Sequence, residues 1–553
     1  MDTPATLPPF ATHTVDNQPS PFAPRDLWSD DAALREAVER EGGGAFAARL
    51  QRYGAFAGDE LLALSVDAHR DKPRLRSHDA SGRRIDKVEF HPHYHAIMGA
   101  AIEHGVAGLS WHEPVPGAHV ARAALSYLHH QSEPGSSCPL TMTHASVPVL
   151  RHAPALADWM RKAAAPHYDG RDVAFADKAG LTLGMGMTEK QGGSDVRANR
   201  TVATPIVGQN AGGDEYELVG HKWFFSAPMS DGFLVLAQAP GGLSCFLLPR
   251  WHPHGGKNAL RLMRLKDKLG DWSNASSEVE FHNAWAQRIG EEGRGVATIL
   301  EMVMLTRLDC MLGSAAEMRM ALSQALHHTR HRRAFGKPLA EQALMRNVLA
   351  DLALESEAAT ALALRVAGAI DRAPRDPREA AFARVATAIG KYWICKRAPA
   401  FVNEAQECLG GAGYVEESLL PRLYRQAPLN SIWEGSGNIQ CLDVLRALAR
   451  EPDAGQALLA ELDAARGRDA AFDATVERIA QALATAAPLP EAQMRSWVER
   501  LALALQAALL LRAGSPVAAA FCRSRLGGAH GLGFGTLPDD LDFVALAERG
   551  VPV

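Results

Sequence analysis

The chain has 553 residues, 47% hydrophobic and 22% charged, with 58 Lys and Arg against 63 Asp and Glu for a net charge of −5. That length predicts two to four domains with sizeable cores, and the acidic balance excludes a whole-protein pull toward nucleic acid, leaving only local basic surface for it. Seven scattered cysteines (Cys138, Cys245, Cys310, Cys395, Cys408, Cys441, Cys522) form no C-x-x-C pair, which argues against a disulfide framework or zinc site and fits a reducing compartment.

Met1 to Pro24 is rich in Pro and Thr and has neither a basic n-region nor an apolar h-region; no signal or transit peptide is expected. Asp30-Asp31 is placed to cap a helix running through Leu34, Val38 and Phe46 to Leu50. His93–His104, Ala118–His130 and Ala155–Ala164 read as further helices, with Pro92 and Pro154 at tolerated starts. His91, His93 and His95 are close enough to suggest a metal, but no Cys or carboxylate completes a ligand spacing; polar residues at a helix start are the expectation. The block 1–180 is therefore read as an N-terminal helical domain.

From 181 to 290 the pattern becomes a compact β domain. Tyr216–Val219, Phe233–Ala237, Ser244–Leu248 and Glu278–Phe281 are short runs mostly bounded by Gly, Pro or Asn. The loop Gly184-Met185-Gly186-Met187-Thr188-Glu189-Lys190-Gln191-Gly192-Gly193-Ser194-Asp195 offers the Thr188 and Ser194 hydroxyls and backbone N–H groups bared by Gly192 and Gly193. Such groups suit a ring carbonyl and a pyrophosphate, although a tight turn explains them equally well. It lacks the third glycine and βαβ setting of a dinucleotide fingerprint. Lys222-Trp223-Phe224-Phe225-Ser226 reads as a strand whose aromatics either fill a core or face a planar ligand.

Residues 291–450 turn helical again, with long patterns at Val296–Arg330, Ala340–Asp371 and Arg378–Leu409, implying a bundle. Leu344, Val348 and Leu352 share one face, followed by the charge of Glu355. His327 to Arg333 is the densest basic run, read as a solvated helix end or a phosphate contact. Gly410-Gly411-Ala412-Gly413 suits a phosphate cradle, although a glycine-rich helix stop is the commoner reading. Within Ser431-Ile432-Trp433-Glu434-Gly435-Ser436-Gly437-Asn438, one carboxylate stands between an aromatic and a Gly-Ser-Gly turn. A base beside an apolar ring has its charged form desolvated, which raises its pKa toward a useful range. Glu451-Pro452-Asp453 looks like a linker to an Ala- and Leu-rich helical region, 451–553. The apolar run Leu501–Leu511 is too short to span a bilayer; no membrane association and a cytoplasmic location are expected.

Five motifs occur in the order found in the acyl-CoA dehydrogenase superfamily: Met187-Thr188-Glu189 with Gly192-Gly193-Ser194-Asp195, Lys222–Ser226, Arg332-Arg333 with Phe335-Gly336-Lys337-Pro338-Leu339, Leu409–Tyr414, and Trp433–Ser436. The chain resembles that superfamily over roughly 90–450. More narrowly it resembles the AidB-like branch, linked to the adaptive response to alkylation, where the similarity extends to both ends. The resemblance implies a mainly α fold with a central β-barrel-like domain, a C-terminal helical bundle and an extra C-terminal helical region.

It also implies FAD between the middle domain and the bundle. Met185, Thr188, Gly192, Gly193 and Ser194 would line flavin and pyrophosphate; Phe224, Phe225 and Ser226, the last standing where many relatives have Thr, would lie at the ring edge. Arg332 would reach the phosphate of a neighbouring subunit's FAD in a homotetramer, and Trp433, Gly435, Ser436 and Asn438 would form the closing wall. Glu434 would be the catalytic base removing a proton α to an acyl-CoA thioester, the β-hydrogen leaving as hydride. Relatives that carry the base elsewhere place it beside the arginine matching Arg307, where this chain has Thr306. Lys190 replaces the usual Pro. The branch further implies double-stranded DNA as a partner and weak dehydrogenase activity, yet residues 451–553 hold nine Arg, no Lys and thirteen Asp or Glu. Phosphate neutralisation supplies most nonspecific DNA affinity, so only local clusters such as Arg523 with Arg525, or Arg446, are candidates for a basic patch.

Overall fold

The computed structural model describes residues 11–207, 214–485 and 489–551; of the N-terminal stretch discussed above, 1–10 lie outside them. Asp31 caps α1 (Ala32–Arg40), its carboxylate accepting from the Leu34 N–H at 3.0 Å. The helix expected to continue to Leu50 instead breaks at Gly42, whose φ of +95° ends it, and α2 (Ala47–Phe56) starts afresh. After α3 (Leu62–Arg70) comes a correction to an all-helical reading: Arg74–His78 (β1) and Arg84–Glu89 (β2) form an antiparallel hairpin. Four helices follow: α4 (Pro92–His104), α5 (Leu109–His112), α6 (Ala118–Ser132) and α7 (Pro134–Leu150), then the short α8 (Ala157–Ala163). His91 caps α4, its ring nitrogen accepting from the His93 N–H, so this part of the histidine run works as a helix start.

Seven strands build the middle: β3 (Leu183–Gly186), β4 (Val202–Pro205), β5 (Glu215–Ser226), β6 (Gly232–Ala239), β7 (Gly242–Pro249), β8 (Leu260–Leu265) and β9 (Ser276–Ile289). Their order is β3-β6-β4-β5-β9-β7, and β7 returns to pair with β6, so the sheet closes into a barrel with β8 added on β9. Two runs that read as separate strands, around Tyr216 and Lys222, are the single β5, whose register against β9 slips twice. Between Lys222 and Phe225 that slip decides which neighbouring aromatic turns inward. Phe225 is fully buried 4.1 Å from the ring of Phe233, whereas Phe224 is 51% exposed.

The long helices α9 (Gly295–His331), α10 (Ala343–Arg372) and α11 (Pro377–Glu407) pack on one another and, through α9, on α6 and α7. Between α9 and α10 lies a tiny hairpin, β10 (Arg333–Ala334) and β11 (Lys337–Pro338). Gly410–Tyr414 is a short 3-10 stop after α11; α12 (Leu420–Gln426) and α13 (Gly437–Arg450) complete the bundle. The face expected from Leu344 to Glu355 is mixed: Leu344 is 84% exposed, whereas Leu352 is buried and so is Glu355, paired with Arg397 and Arg525.

The expected linker is a one-residue joint, since α14 (Pro452–Asp463) starts immediately after Glu451. The helices α15 (Ala470–Ala484), α16 (Met494–Ala513), α17 (Ala518–Phe521) and α18 (Phe543–Glu548) follow. Buried ion pairs tie this region to the bundle: Arg365 with Glu461, Arg525 with Asp351 and Glu355, and Arg549 with Glu357. No helix among the described residues is long and apolar enough to cross a membrane.

Candidate active site around Glu434

Glu434 sits in the turn before α13 with φ +57°, followed by Gly435 at φ +94°. A non-glycine residue in the left-handed region costs roughly 1–2 kcal/mol, so something must hold it there. Three side chains do. Arg307 on α9 donates from Nε to the Glu434 carbonyl at 3.1 Å, and Gln440 on α13 donates to the same carbonyl at 3.1 Å and to that of Gly435 at 2.9 Å. Lys391, a buried lysine on α11, donates to the carbonyls of Trp433 at 2.8 Å and Gly435 at 2.5 Å. Arg307 is itself anchored on Asp443 of α13 at 2.6 Å. Every carbonyl of the Trp-Glu-Gly turn is thus gripped by a helix of the bundle.

The Glu434 carboxylate accepts one strong bond, from the Thr306 hydroxyl at 2.7 Å. Burial pushes its pKa above the ordinary value, and the Thr306 hydrogen bond with the charges of Arg307 and Lys391 only partly oppose this. Thr306 is therefore more than a non-acidic substitute: it orients the Glu434 carboxylate.

Cys138 lies buried on α7. This buried thiol is pushed up to about 12 by burial. Ser226, at the end of β5, shares a 3.0 Å hydroxyl contact with Ser276. The loop after β3 is bound to the same strand. The Trp223 N–H donates to the Thr188 carbonyl at 2.8 Å, and Glu189 is clamped by Lys222 at 2.8 Å, both side chains being fully buried. Glu189 also accepts from the backbone N–H groups of Arg200 and Thr201 and from Gln191. Burial would raise its pKa, but the Lys222 charge and these donors outweigh that and hold it at about 2.

Around that anchor the loop stays open. Ser194 and Gly192 are exposed, Met185 and Thr188 are partly so, and a side chain at Gly193 would run into the Thr188 hydroxyl at 2.4 Å. Accessible hydroxyls, bare N–H groups and the exposed Phe224 ring fit a flat, phosphate-bearing cofactor. The Phe225 side chain belongs to the barrel core, which leaves its backbone as the part it can offer. In the closing turn, the Trp433 indole N–H donates to Asn430 at 2.9 Å, Ser436 is exposed, and Asn438 accepts from Arg495 of α16 at 2.9 Å. Arg332 is not brought to this site: it ends α9 and bonds the Asn17 carbonyl, 26 residues beyond Thr306 or roughly 39 Å along the helix.

Thr306, Lys391, Gln440, Cys138 and the Glu189–Lys222 pair were not singled out from sequence. The signal for the lysines was present: Lys222 and Lys391 are single charges within apolar stretches, where an ionised group is retained only with partners. Of the arginines expected to form a basic patch, Arg446 stays 60% exposed, 3.8 Å from Asp443, and the C-terminal pair is engaged. Arg525 is buried between Asp351 and Glu355, and Arg523 is paired with Asp540. The remaining arginines of the region are also engaged, by carboxylates (Arg466, Arg512, Arg549), carbonyls (Arg468, Arg478), Asn438 (Arg495) or Trp497 (Arg500).

Comparison with known proteins matches three family models in succession: the adaptive response protein AidB N-terminal domain over 17–170, the acyl-CoA dehydrogenase middle domain over 184–284 and the acyl-CoA dehydrogenase C-terminal domain over 293–449. The chain is 48% identical to the putative acyl-CoA dehydrogenase AidB of Escherichia coli over 94% of its own length and 95% of the relative's. Among solved structures, Caenorhabditis elegans ACDH-11 in complex with C11-CoA superposes with a TM-score of 0.84 at 26% identity, covering 94% of each chain. An FAD-complexed acyl-CoA dehydrogenase of Bacillus anthracis shares the fold, with a TM-score of 0.63 at 17% identity over 83% of this chain and 82% of that one. With its barrel, bundle and Glu434 turn in the family's order, the chain belongs to the acyl-CoA dehydrogenase family, on its AidB branch.

Proposed function

We propose that the protein is an FAD-dependent oxidoreductase of the acyl-CoA dehydrogenase type in which Glu434 is the catalytic base. The observation that carries this reading is the desolvated Glu434 carboxyl, fixed in a strained turn and held by the Thr306 hydroxyl at 2.7 Å. FAD, the family's cofactor, supplies the hydride acceptor when bound. The residues we assign to hold it are Met185, Thr188 and Gly192 to Ser194 on the loop, Phe224 to Ser226 on β5, and Trp433, Gly435, Ser436 and Asn438 on the closing turn. Glu434 takes the proton from the carbon α to the thioester carbonyl; the β-carbon loses hydride and a carbon–carbon double bond remains. Thr306 keeps the carboxylate aimed, and Lys391, Arg307 and Gln440 keep the turn from relaxing.

Arg332 lies far from its own chain's Glu434, which supports its assignment to a neighbouring subunit's FAD. Phe335 at 98% and Leu344 at 84% exposure beside it supply an apolar surface for self-association, and we assign a homotetramer. The seven buried, unpaired cysteines support a reducing compartment, the cytoplasm.

The decisive experiment is Glu434→Gln with flavin content measured in parallel. Acyl-CoA-dependent bleaching should vanish while FAD remains bound; unchanged bleaching would remove Glu434 from this role. A second reading, association with duplex DNA in the alkylation response, draws on the AidB N-terminal match and the 48% identity. The committed arginines of the C-terminal region weigh against that region as its site.

A further inference from the structure

A cavity of about 530 Å³ opens between the β1–β2 hairpin, α4, the segment after α8 and the turn from β5 to β6. Its size falls among pockets that hold small molecules. None of the residues lining it is assigned to the base or to FAD; it adjoins the flavin-edge residues only through Ala227, next after Ser226. Ala227 is held at φ +50°, its N–H bonded to the Ala275 carbonyl at 2.8 Å.

The lining carries rings from two segments. Phe90 and Tyr94 stack with centroids 4.2 Å apart, and Tyr168 stacks on His95 at 6.0 Å, its hydroxyl 2.8 Å from the His95 Nδ1. Met98 and Met229 add thioethers, which contact aromatic rings favourably. Such walls suit a flat, unsaturated body.

Three hydroxyls in the same lining lack partners. Tyr94 is 5% exposed, Ser230 is 3% exposed and Thr182 is half-buried. None of their hydroxyls makes a hydrogen bond among the described residues, although the Tyr168 hydroxyl beside them does. Buried polar groups are nearly always bonded, so three in one cavity call for an acceptor inside it.

The charges around the cavity set the sign of that acceptor. Asp169 is paired with Arg171 at 2.7 Å, Glu89 with Arg76 at 2.8 Å, Asp172 with Arg250 and Lys257, and Lys178 with Asp231 at 2.8 Å. Lys87 on β2 is the charged lining residue with no ion-pair partner among the described residues. One uncommitted cation with three hydroxyl donors matches a single negative charge; a phosphate monoester would bring a second.

We propose that this cavity is a binding site for a small aromatic monocarboxylate. Its ring lies on the aromatic wall, and its carboxylate accepts from Tyr94, Thr182 and Ser230 with Lys87 as counter-charge. The site is additional to the dehydrogenase reading and does not depend on it.

The test is isothermal titration calorimetry on the FAD-loaded full chain with three probes. 2-Naphthoate is the aromatic carboxylate, 2-naphthamide its neutral counterpart, and decanoate the same charge on a flexible chain. 2-Naphthoate should bind at least about tenfold tighter than either of the others. Tyr94→Phe removes one oxygen that bonds nothing in the protein, so the fold should stand while 2-naphthoate affinity falls about tenfold. Lys87→Met, at the exposed rim, should weaken 2-naphthoate by a smaller factor of about three and leave 2-naphthamide unchanged. Glu434→Gln should leave 2-naphthoate affinity as it is. No binding of 2-naphthoate overturns the proposal, since ordered water then meets the hydroxyls alone. Equal binding of 2-naphthamide removes the charge recognition, and equal binding of decanoate makes this a fatty-acid site; both overturn it. So do an affinity untouched by Tyr94→Phe and one altered by Glu434→Gln, which would place the probe at the reaction site. Because the readout is binding and not flavin reduction, failure here leaves the dehydrogenase reading standing.

Discussion

Replacing Lys222 by Met tests whether the cofactor loop is built on a buried ion pair. The Lys222 Nζ lies 2.8 Å from Glu189 Oε1 and 2.7 Å from the Leu236 carbonyl, with no solvent contact on either charged side chain. Glu189 held at about 2 rather than its usual 4.5 corresponds to about 3 kcal/mol favouring the ionised, folded form, and removing one member of a buried pair costs about 3–5 kcal/mol. Because the folded pKa is depressed, this stabilisation is present above the unfolded value and is lost as pH falls toward 2. At neutral pH the variant should therefore lose about 3 kcal/mol in urea unfolding followed by tryptophan fluorescence. The flattening of its stability at acid pH should begin nearer pH 4.5. The loop from Thr188 to Thr201 should loosen, so flavin should be lost on gel filtration. The double variant Lys222→Met with Glu189→Gln should recover much of the stability, since no unpaired charge remains. A loss under about 1 kcal/mol with full flavin retention would refute the anchoring role.

Three further outcomes follow from the geometry. Flavin reduction by substrate should speed up with rising pH through an apparent pKa above the ordinary carboxylate value, because burial favours protonated Glu434 and only the ionised form accepts a proton. Thr306→Val removes the hydroxyl that stabilises that ion and should move the midpoint higher, measured by stopped-flow across pH; an unmoved midpoint would separate Thr306 from Glu434. Phe335→Asp with Leu344→Asp should break the proposed oligomer in light scattering and lower FAD occupancy together, whereas dissociation with full occupancy would count against Arg332 serving a neighbour. In a salt-titrated duplex-binding assay on the full chain, Arg523→Ala should change affinity by less than about twofold, since that guanidinium already faces a carboxylate; a large loss would mean the Asp540 pair opens on DNA.

The long helices and the Glu434 turn were legible because their signals are local: apolar spacing for α9 to α11, and an aromatic–acid–glycine sequence for the turn. The hairpin at Arg74–Glu89 was missed because its strands are mostly polar and partly exposed, with few apolar residues to set a two-residue period. Which of Phe224 and Phe225 faces outward depends on a register slip against β9, a strand more than 50 residues away. Charge counts gave the acidity of 451–553 correctly, but Arg525 and Arg549 pair with carboxylates of α10 and of the N-terminal part, distant in sequence. The same blindness hid Lys391 and Thr306, whose roles exist only once α9, α11 and the turn meet.

The ion pairs across the one-residue joint at Glu451 carry a consequence for removing the appended helices. Cutting the chain there would strip Asp351 and Glu357 of their arginine partners and leave Arg365 and Glu355 with only Glu379 and Arg397, each of the first two losses costing about 3–5 kcal/mol. A version of this chain that ends at the bundle cannot be made by deletion alone, only by deletion together with repair of α10.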